Sequence, residues 1–206
     1  MSTHDDFDSQ LADAGDDRPG IDELDDVENL DDDDFDDDYD DDYPEDAGDD
    51  EIDLVIALYA EEGNPVAVPL VKDLANDLDG LVEQLRRMPG DAGVIGVVSI
   101  DSDFFVVVRV RGKRIQVLLS DVTAATDWPI ARDAADFLGE DIPDDDDDDS
   151  RPVGDFDMLA DTGISELELE ALCSDYDPDP EEIIRRVANR LGFGLAYPRA
   201  AETFGL

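Results

Sequence analysis

The sequence has few of the residue types that enzymes use for nucleophilic catalysis and zinc binding. It contains one histidine, His4, and one cysteine, Cys173. A Ser-His-Asp or Cys-His arrangement is therefore excluded away from the N-terminus, and so is a structural zinc site with Cys and His ligands. One cysteine also excludes an intrachain disulfide, which fits a reducing compartment. We predict no catalytic residue, no cofactor and no metal site.

Other motifs of known chemistry are missing as well. There is no Walker-type phosphate loop, no G-x-G-x-x-G after a strand, and neither half of the zinc deaminase pattern H-x-E and P-C-x-x-C. Asp175, Asp177 and Asp179 have the spacing that opens a calcium loop. Pro180 and Arg186 then occupy the positions of its glycine and its bidentate glutamate. Carboxylates are abundant, so a carboxylate-based small-molecule or metal-dependent enzyme stays open as an alternative.

Long apolar runs are missing too. No stretch approaches the roughly 20 apolar residues of a membrane helix, and MSTHDDFDSQ lacks the basic and apolar regions of a signal peptide. We therefore expect a soluble, cytoplasmic protein that does not bind membranes.

Basic residues are scarce relative to acidic ones. The 206 residues include 60 acidic and 14 basic side chains, for a net charge of -46. Such a chain repels nucleic-acid phosphate and anionic lipid, because binding to either requires lysine and arginine. We predict no direct nucleic-acid binding, and a basic protein surface as the complementary partner.

The acidic excess is concentrated at the N-terminus. Residues 1–51 carry 26 acidic residues and one arginine, Arg18, and they show no helical or strand period. We predict a disordered acidic tail over this range. Phe35, Tyr39 and Tyr43 recur among the aspartates, so the tail is either a solvating segment or an acidic-aromatic mimic of nucleic acid.

Residues 52–143 have the patterns of an α+β domain. Alternating apolar residues predict strands at 52–58, 65–70, 94–100, 104–110 and 114–119, and helical spacing predicts helices from Asp73 to Met88 and from Pro129 to Leu138. The tight turns between the last three strands indicate an antiparallel meander. The order ββαβββα predicts a two-layer domain with a mainly antiparallel sheet and helices on one face.

The rest of the chain divides at a second acidic run. Residues 144–152 read as an acidic linker and 153–194 as a small α-helical module, followed by a C-terminal tail at 195–206. A capping box at Ser165 opens one helix of the module, and Pro180 opens another that Gly192 ends.

The stretch LLSDVTAATDWPIA connects a strand to a helix and contains the only tryptophan. Ser120 or Asp121 is placed to cap a short turn, and Pro129 restricts Trp128 to an extended conformation. Trp128 is either a core anchor or, beside polar neighbours, an interface residue. The candidate interface residues of this stretch are Asp121, Thr123, Thr126, Asp127 and Trp128.

A second candidate group is basic. If Gly112 and Lys113 form a two-residue hairpin turn, Arg111 faces Arg114 and Arg109 faces Gln116 on one exposed sheet face. Such a cluster either holds an anionic partner or is neutralised by nearby acidic side chains.

Several stretches of the chain resemble an actinobacterial family, the tRNA adenosine deaminase-associated proteins. These are LVIALYAEEGNPVAVPL, DLANDLDGLVEQLRRMPGDAGVIGVVSIDSDFF, FFVVVRVRGKRIQVLLSDVTAATDWPIARDAADFLG and DMLADTGISELELEALCSD with the later LGFG. The resemblance covers about residues 53–194 and is most specific at 118–129. Family members are named for genes beside a deaminase-like gene, so the resemblance implies a partner and supplies no catalytic residues.

The resemblance and the residue types lead to one functional hypothesis. We expect a non-catalytic accessory protein that interacts with a tRNA adenosine deaminase-like enzyme, with the acidic tail competing with tRNA for a basic groove. The alternatives are the carboxylate-based enzyme named above and a general acidic mimic of nucleic acid.

Overall fold

The computed structural model describes residues 43–206 apart from 91, 144–149 and 176, and one six-stranded sheet organises this part of the chain. Its strands are β1 (Ile52–Glu61), β2 (Asn64–Pro69), β3 (Val94–Ile100), β4 (Phe104–Arg111), β5 (Arg114–Leu119) and β6 (Val153–Gly154). Their order across the sheet is β2-β1-β3-β4-β5-β6, and all neighbours are antiparallel. The predicted α+β class with a mainly antiparallel sheet is confirmed.

Within the described residues, five α-helices accompany the sheet. They are α1 (Leu78–Arg86), α2 (Pro129–Leu138), α3 (Glu166–Cys173), α4 (Pro180–Arg190) and α5 (Tyr197–Ala201). In the part of the chain that the structure describes, none of them combines the length and the hydropathy that crossing a lipid bilayer requires.

The helix α1 begins later than the sequence predicts. A 3₁₀ helix occupies Lys72–Ala75, and α1 starts after Asp77, whose side chain accepts a hydrogen bond from the Gly80 amide at 2.8 Å. Asp77 is the better cap because it is extended and satisfies an amide in the first turn. The predicted helix start at Asp73 is therefore wrong. In contrast, α2 has the predicted bounds, and Gly139 ends it in the left-handed conformation with φ 70°.

Helices α1 and α2 cover the first face of the sheet. The alternate side chains of β1 that point to this face include Val55, Ala57 and Tyr59, which pack in one core with Leu81, Leu85 and Ile130. Ile52 also belongs to this core, because a register shift between Ile52 and Leu54 breaks the alternation. The alternation predicted over 52–58 would place Ile52 on one face with Leu54, Ile56 and Leu58, and it is wrong at Ile52 for this reason.

The C-terminal helices cover the second face. Leu54, Ile56 and Leu58 point there and pack in a second core with residues of α3, α4 and α5. β6 joins the sheet beside β5, so the segment predicted to form a small helical module is tied to the sheet by hydrogen bonds and by its core. The sheet is apolar on both faces, and both must be covered. The boundaries predicted at 143 and 153 stay predictions.

Both ends of the described chain are packed further than the sequence predicts. Ala47 is buried, and its backbone amide donates a hydrogen bond to Asn76 Oδ1 at 2.8 Å. In return, Asn76 Nδ2 donates to the Ala47 carbonyl at 3.0 Å. At the other end, Tyr197, Ala200 and Ala201 are buried on the second face. Residues 43–51 and 197–204 are therefore packed on the fold, although the sequence predicts that they belong to tails. Residues 1–42 of the predicted disordered tail lie outside the described residues.

Candidate functional site

The stretch between β5 and α2 is a capped turn. Asp121 precedes a 3₁₀ helix at Val122–Thr126, and its Oδ1 accepts hydrogen bonds from the Thr123 amide at 2.9 Å and the Thr123 hydroxyl at 2.7 Å. Its Oδ2 accepts from the Ser150 hydroxyl at 2.5 Å. The Thr126 hydroxyl donates to the Thr123 carbonyl at 2.8 Å. Most of the polar side chains predicted as interface candidates here also stabilise this turn.

Trp128 lies at the start of α2 between core and surface. It is partly buried against the first-face core, and its ring centroid is 6.3 Å from that of Phe104, with 34° between the ring planes. The extended backbone at Trp128, φ −128° and ψ 127°, agrees with the restriction that Pro129 imposes. Trp128 therefore anchors the turn on the core and keeps part of its surface exposed. Its role in an interface stays a prediction.

The arginine cluster has the predicted pairing and a different exposure. Arg111 faces Arg114 and Arg109 faces Gln116, as the hairpin requires. Arg109 is nevertheless only 3% exposed, because the 3₁₀ helix Phe156–Thr162 covers this end of the second face. The prediction of an exposed face is wrong for Arg109. No periodic pattern signals which distant segment covers a strand.

Acidic side chains of that covering segment neutralise the cluster. Arg109 donates to both carboxylate oxygens of Asp161 and to the carbonyls of Met158 and Ala92. Arg111 also binds Asp161, at 2.7 Å, and Arg114 lies 3.5 Å from Asp157. The hydrogen bond from Arg109 holds the pKa of Asp161 below its ordinary value. These ion pairs favour neutralisation by nearby acidic residues, and binding of an anionic partner by the exposed Arg111 and Arg114 stays a prediction.

The structure separates the two groups of candidate residues. The capped turn follows the carboxyl end of β5, and the arginines flank the turn between β4 and β5. The six residues of β5 separate the two groups by roughly 20 Å at 3.3 Å per residue. The two groups therefore cannot act as one site.

An acidic cleft lies beside the capped turn, and sequence reasoning missed it. The cleft has a volume of about 340 Å³, and five aspartates line it. They are Asp103, Asp121, Asp175, Asp177 and Asp179. Its apolar wall includes Phe105, Ile183 and Cys173. The aspartates come from three separate segments, so only the run at 175–179 was visible as a cluster in the sequence.

The electrostatics of the cleft favour a cationic group. Burial raises the pKa of Asp103, and the negative charges of Asp121, Asp101 and Asp127 raise it further. A cation near Asp103 reverses this repulsion, because opposite charge favours the ionised carboxylate. This burial is only partial, because the Asp103 side chain still reaches solvent. Among the described residues, no three His, Cys, Asp or Glu side chains converge in a way that suits a metal ion.

We predict that Cys173 is unreactive in the folded protein. The residue is 3% exposed, and burial raises the pKa of its thiol to about 12. At about pH 8 the reactive thiolate is therefore scarce, and reaction with a chromogenic disulfide reagent should be at least roughly 100-fold slower than that of a free thiol. The same protein in denaturant is the control and should react at its one cysteine. Rapid labelling of the folded chain would contradict this placement.

Comparison with known proteins assigns the chain to a family. The model of the Rv3753c-like tRNA adenosine deaminase-associated proteins matches residues 53–194. The chain belongs to this family. It is also 32% identical over 140 residues to Protein Rv3753c of Mycobacterium tuberculosis (strain ATCC 25618 / H37Rv), covering 67% of this chain and 81% of that protein. No solved structure matches the chain.

The family match includes the sheet and helices on both of its faces. Residues 53–194 extend from β1 to the residues that follow α4, so they contain almost all of the sheet and most of the helices on both of its faces. The capped turn, the acidic cleft and the neutralised arginine cluster all lie within the matched range. The resemblance noted in the sequence is confirmed.

Proposed function

We propose that this member of the tRNA adenosine deaminase-associated family is a non-catalytic accessory protein that binds a tRNA adenosine deaminase-like enzyme. The observation that carries the proposal is the family match over residues 53–194. The family description names an association with a deaminase, and the chain lacks the deaminase's own zinc-binding pattern. The partner, rather than this chain, would perform the chemistry.

The charge distribution supports binding to such an enzyme. A protein that binds tRNA must present lysine and arginine to the phosphates. This chain has a net charge of -46, and its cleft is lined by five aspartates. The exposure of Asp103 to solvent favours binding of a partner's cationic side chain over catalysis, which favours a dry, enclosed site.

The acidic N-terminal segment adds a second element to the proposal. Residues 1–51 carry 26 acidic side chains, and the aromatic residues Phe35 and Tyr39 lie within a run of aspartates. Carboxylates resemble phosphates in charge, and aromatic rings resemble bases in their capacity to stack. We propose that this segment competes with tRNA for the basic groove of the enzyme.

The proposal is tested by size-exclusion chromatography of the chain mixed with the deaminase-like protein, at about 0.15 M salt. The full chain and a chain that begins at Asp40 run in parallel, because Asp40–Leu206 is one compact unit. Co-elution of both chains is the expected result and places the main interface within that unit. If neither chain co-elutes, binding to this enzyme is refuted.

Competition by the acidic segment has its own test. Adding tRNA should displace the full chain less readily than the chain that begins at Asp40, because only the full chain retains residues 1–39 of the acidic segment. Equal displacement of the two chains would refute the competition. Co-elution that requires the segment, with no contribution from the remaining residues, would support the general nucleic-acid mimic instead.

A further inference from the structure

The outward face of α2 carries an exposed aromatic pair. Among the described residues, six large apolar side chains are exposed, and only Tyr43 and Phe137 among them are aromatic. Tyr43 is 50% exposed and Phe137 is 49% exposed. Both belong to the surface of α2, since Phe137 lies on the helix and the Tyr43 hydroxyl donates to Asp133 Oδ1 at 2.7 Å. Each ring therefore leaves apolar surface in water that a partner protein could cover.

Charged side chains lie near the two rings. Asp133, Asp136 and Phe137 follow the i, i+3, i+4 spacing of one stripe on α2, and Asp136 and Phe137 are exposed there. Partial burial of Tyr43 raises the pKa of its hydroxyl most, Asp133 and Asp136 raise it further, and the positive charge of the nearby Arg132 lowers it. We name Tyr43, Asp133, Asp136 and Phe137 the aromatic–acidic face.

Hydrogen bonds hold this face in place. Asp133 uses its second oxygen, Oδ2, to accept from the Leu78 amide at the start of α1, at 3.3 Å. The carboxylate therefore fixes the Tyr43 ring relative to both helices. Ala47, four residues after Tyr43, is fixed in turn by Asn76. A ring that is already ordered loses little conformational freedom when a partner binds to it.

The combination of rings and carboxylates selects one kind of partner group. A guanidinium ion stacks on an aromatic ring and donates to a carboxylate in two parallel hydrogen bonds, whereas an ammonium ion lacks the planar stacking surface. We propose that the aromatic–acidic face docks an arginine-bearing surface of the partner protein. This inference rests on the proposed function for the identity of that partner, the tRNA adenosine deaminase-like enzyme.

Calorimetric titration of the enzyme with the full chain tests the proposal. Phe137→Ser should weaken binding by at least about tenfold, because a central aromatic anchor of an interface contributes more than 1 kcal/mol. Leu167→Ser is the matched control. It removes a side chain that is 76% exposed on α3, on the other side of the sheet, and should change the affinity by less than about twofold. Unchanged binding by Phe137→Ser would overturn the proposal.

A charge pair separates specific docking from general attraction. Asp136→Asn should weaken binding more than Glu170→Gln, although each removes one exposed acidic charge from a chain with 60. Equal effects of the two variants would show that only net charge matters and would overturn the specific face. Thermal unfolding of every variant should match the wild type, since the changed side chains are exposed.

A second experiment tests the aromatic–acidic face without the enzyme. Oligoarginine and oligolysine peptides of equal charge are titrated into the full chain, and the ring proton signals of Tyr43 and Phe137 are followed by NMR. Saturable shifts with oligoarginine and weaker shifts with oligolysine are expected. The absence of ring shifts would overturn the docking face. Ring shifts without enzyme binding would refute the proposed function alone.

Discussion

Replacing Arg109 by leucine should lower the free energy of unfolding by about 3 kcal/mol, because the Met158 and Ala92 carbonyls lose their buried donor and the half-exposed Asp161 keeps only Arg111 as a partner. Arg109 is 3% exposed and donates to Asp161 and to the Met158 and Ala92 carbonyls. Its guanidinium therefore joins β4 both to the segment covering the second face and to the turn before β3. Urea denaturation monitored by circular dichroism measures the change.

Arg111→Leu is the matched control for this prediction. Arg111 binds the same carboxylate, that of Asp161, but its side chain is 46% exposed. An exposed ion pair contributes little, so the control should lose less than about 1 kcal/mol. Equal losses for the two variants would show that Arg109 contributes no more than a surface arginine.

Acid titration gives an independent measure of the same pair. The pKa of Asp161 is lowered in the folded protein, chiefly by its hydrogen bond from Arg109. This carboxylate therefore stabilises the fold above its unfolded pKa of about 3.9, and the stabilisation is lost as the pH falls through the lower, folded value. Arg109→Leu should reduce that loss. An acid dependence identical to that of the wild type would contradict the assignment.

Replacing Phe104 by alanine should lower the free energy of unfolding by about 3–5 kcal/mol. Phe104 is fully buried at the start of β4 in the first-face core, where it packs against Trp128. Its loss removes apolar surface and leaves a cavity beneath the capped turn. Because Trp128 is the only tryptophan, its emission in the folded variant should shift to longer wavelength as water reaches the ring.

Phe137→Ala provides the comparison for Phe104. It removes the same side chain from a position that is 49% exposed, and should change stability by less than about 0.5 kcal/mol. It should also leave the emission of Trp128 unchanged. A loss below about 1 kcal/mol for Phe104→Ala would contradict the packing of Trp128 against this core.

Local patterns in the sequence were sufficient for much of the fold. The bounds of β3, β5 and α2 agree with the predicted ones, and Ser165 caps α3 as predicted. These features depend on residues that are neighbours along the chain. Apolar alternation favours a strand, and a side-chain oxygen that accepts a hydrogen bond from an amide of the first turn favours a helix start. Residue types alone likewise exclude Cys-His and Ser-His-Asp arrangements from residues 5–206, which contain no histidine.

Tertiary structure decided how the distant segments meet. Arg109 and Asp161 are 52 positions apart, and the pairing of Tyr43 with Asp133 spans 90. The acidic cleft similarly joins Asp103 to the run at 175–179. Contacts of this kind leave no period in the sequence, because packing rather than local backbone preference selects the partner. The same reason explains why α3, α4 and α5 cover the second face of a sheet whose strands the sequence had already located.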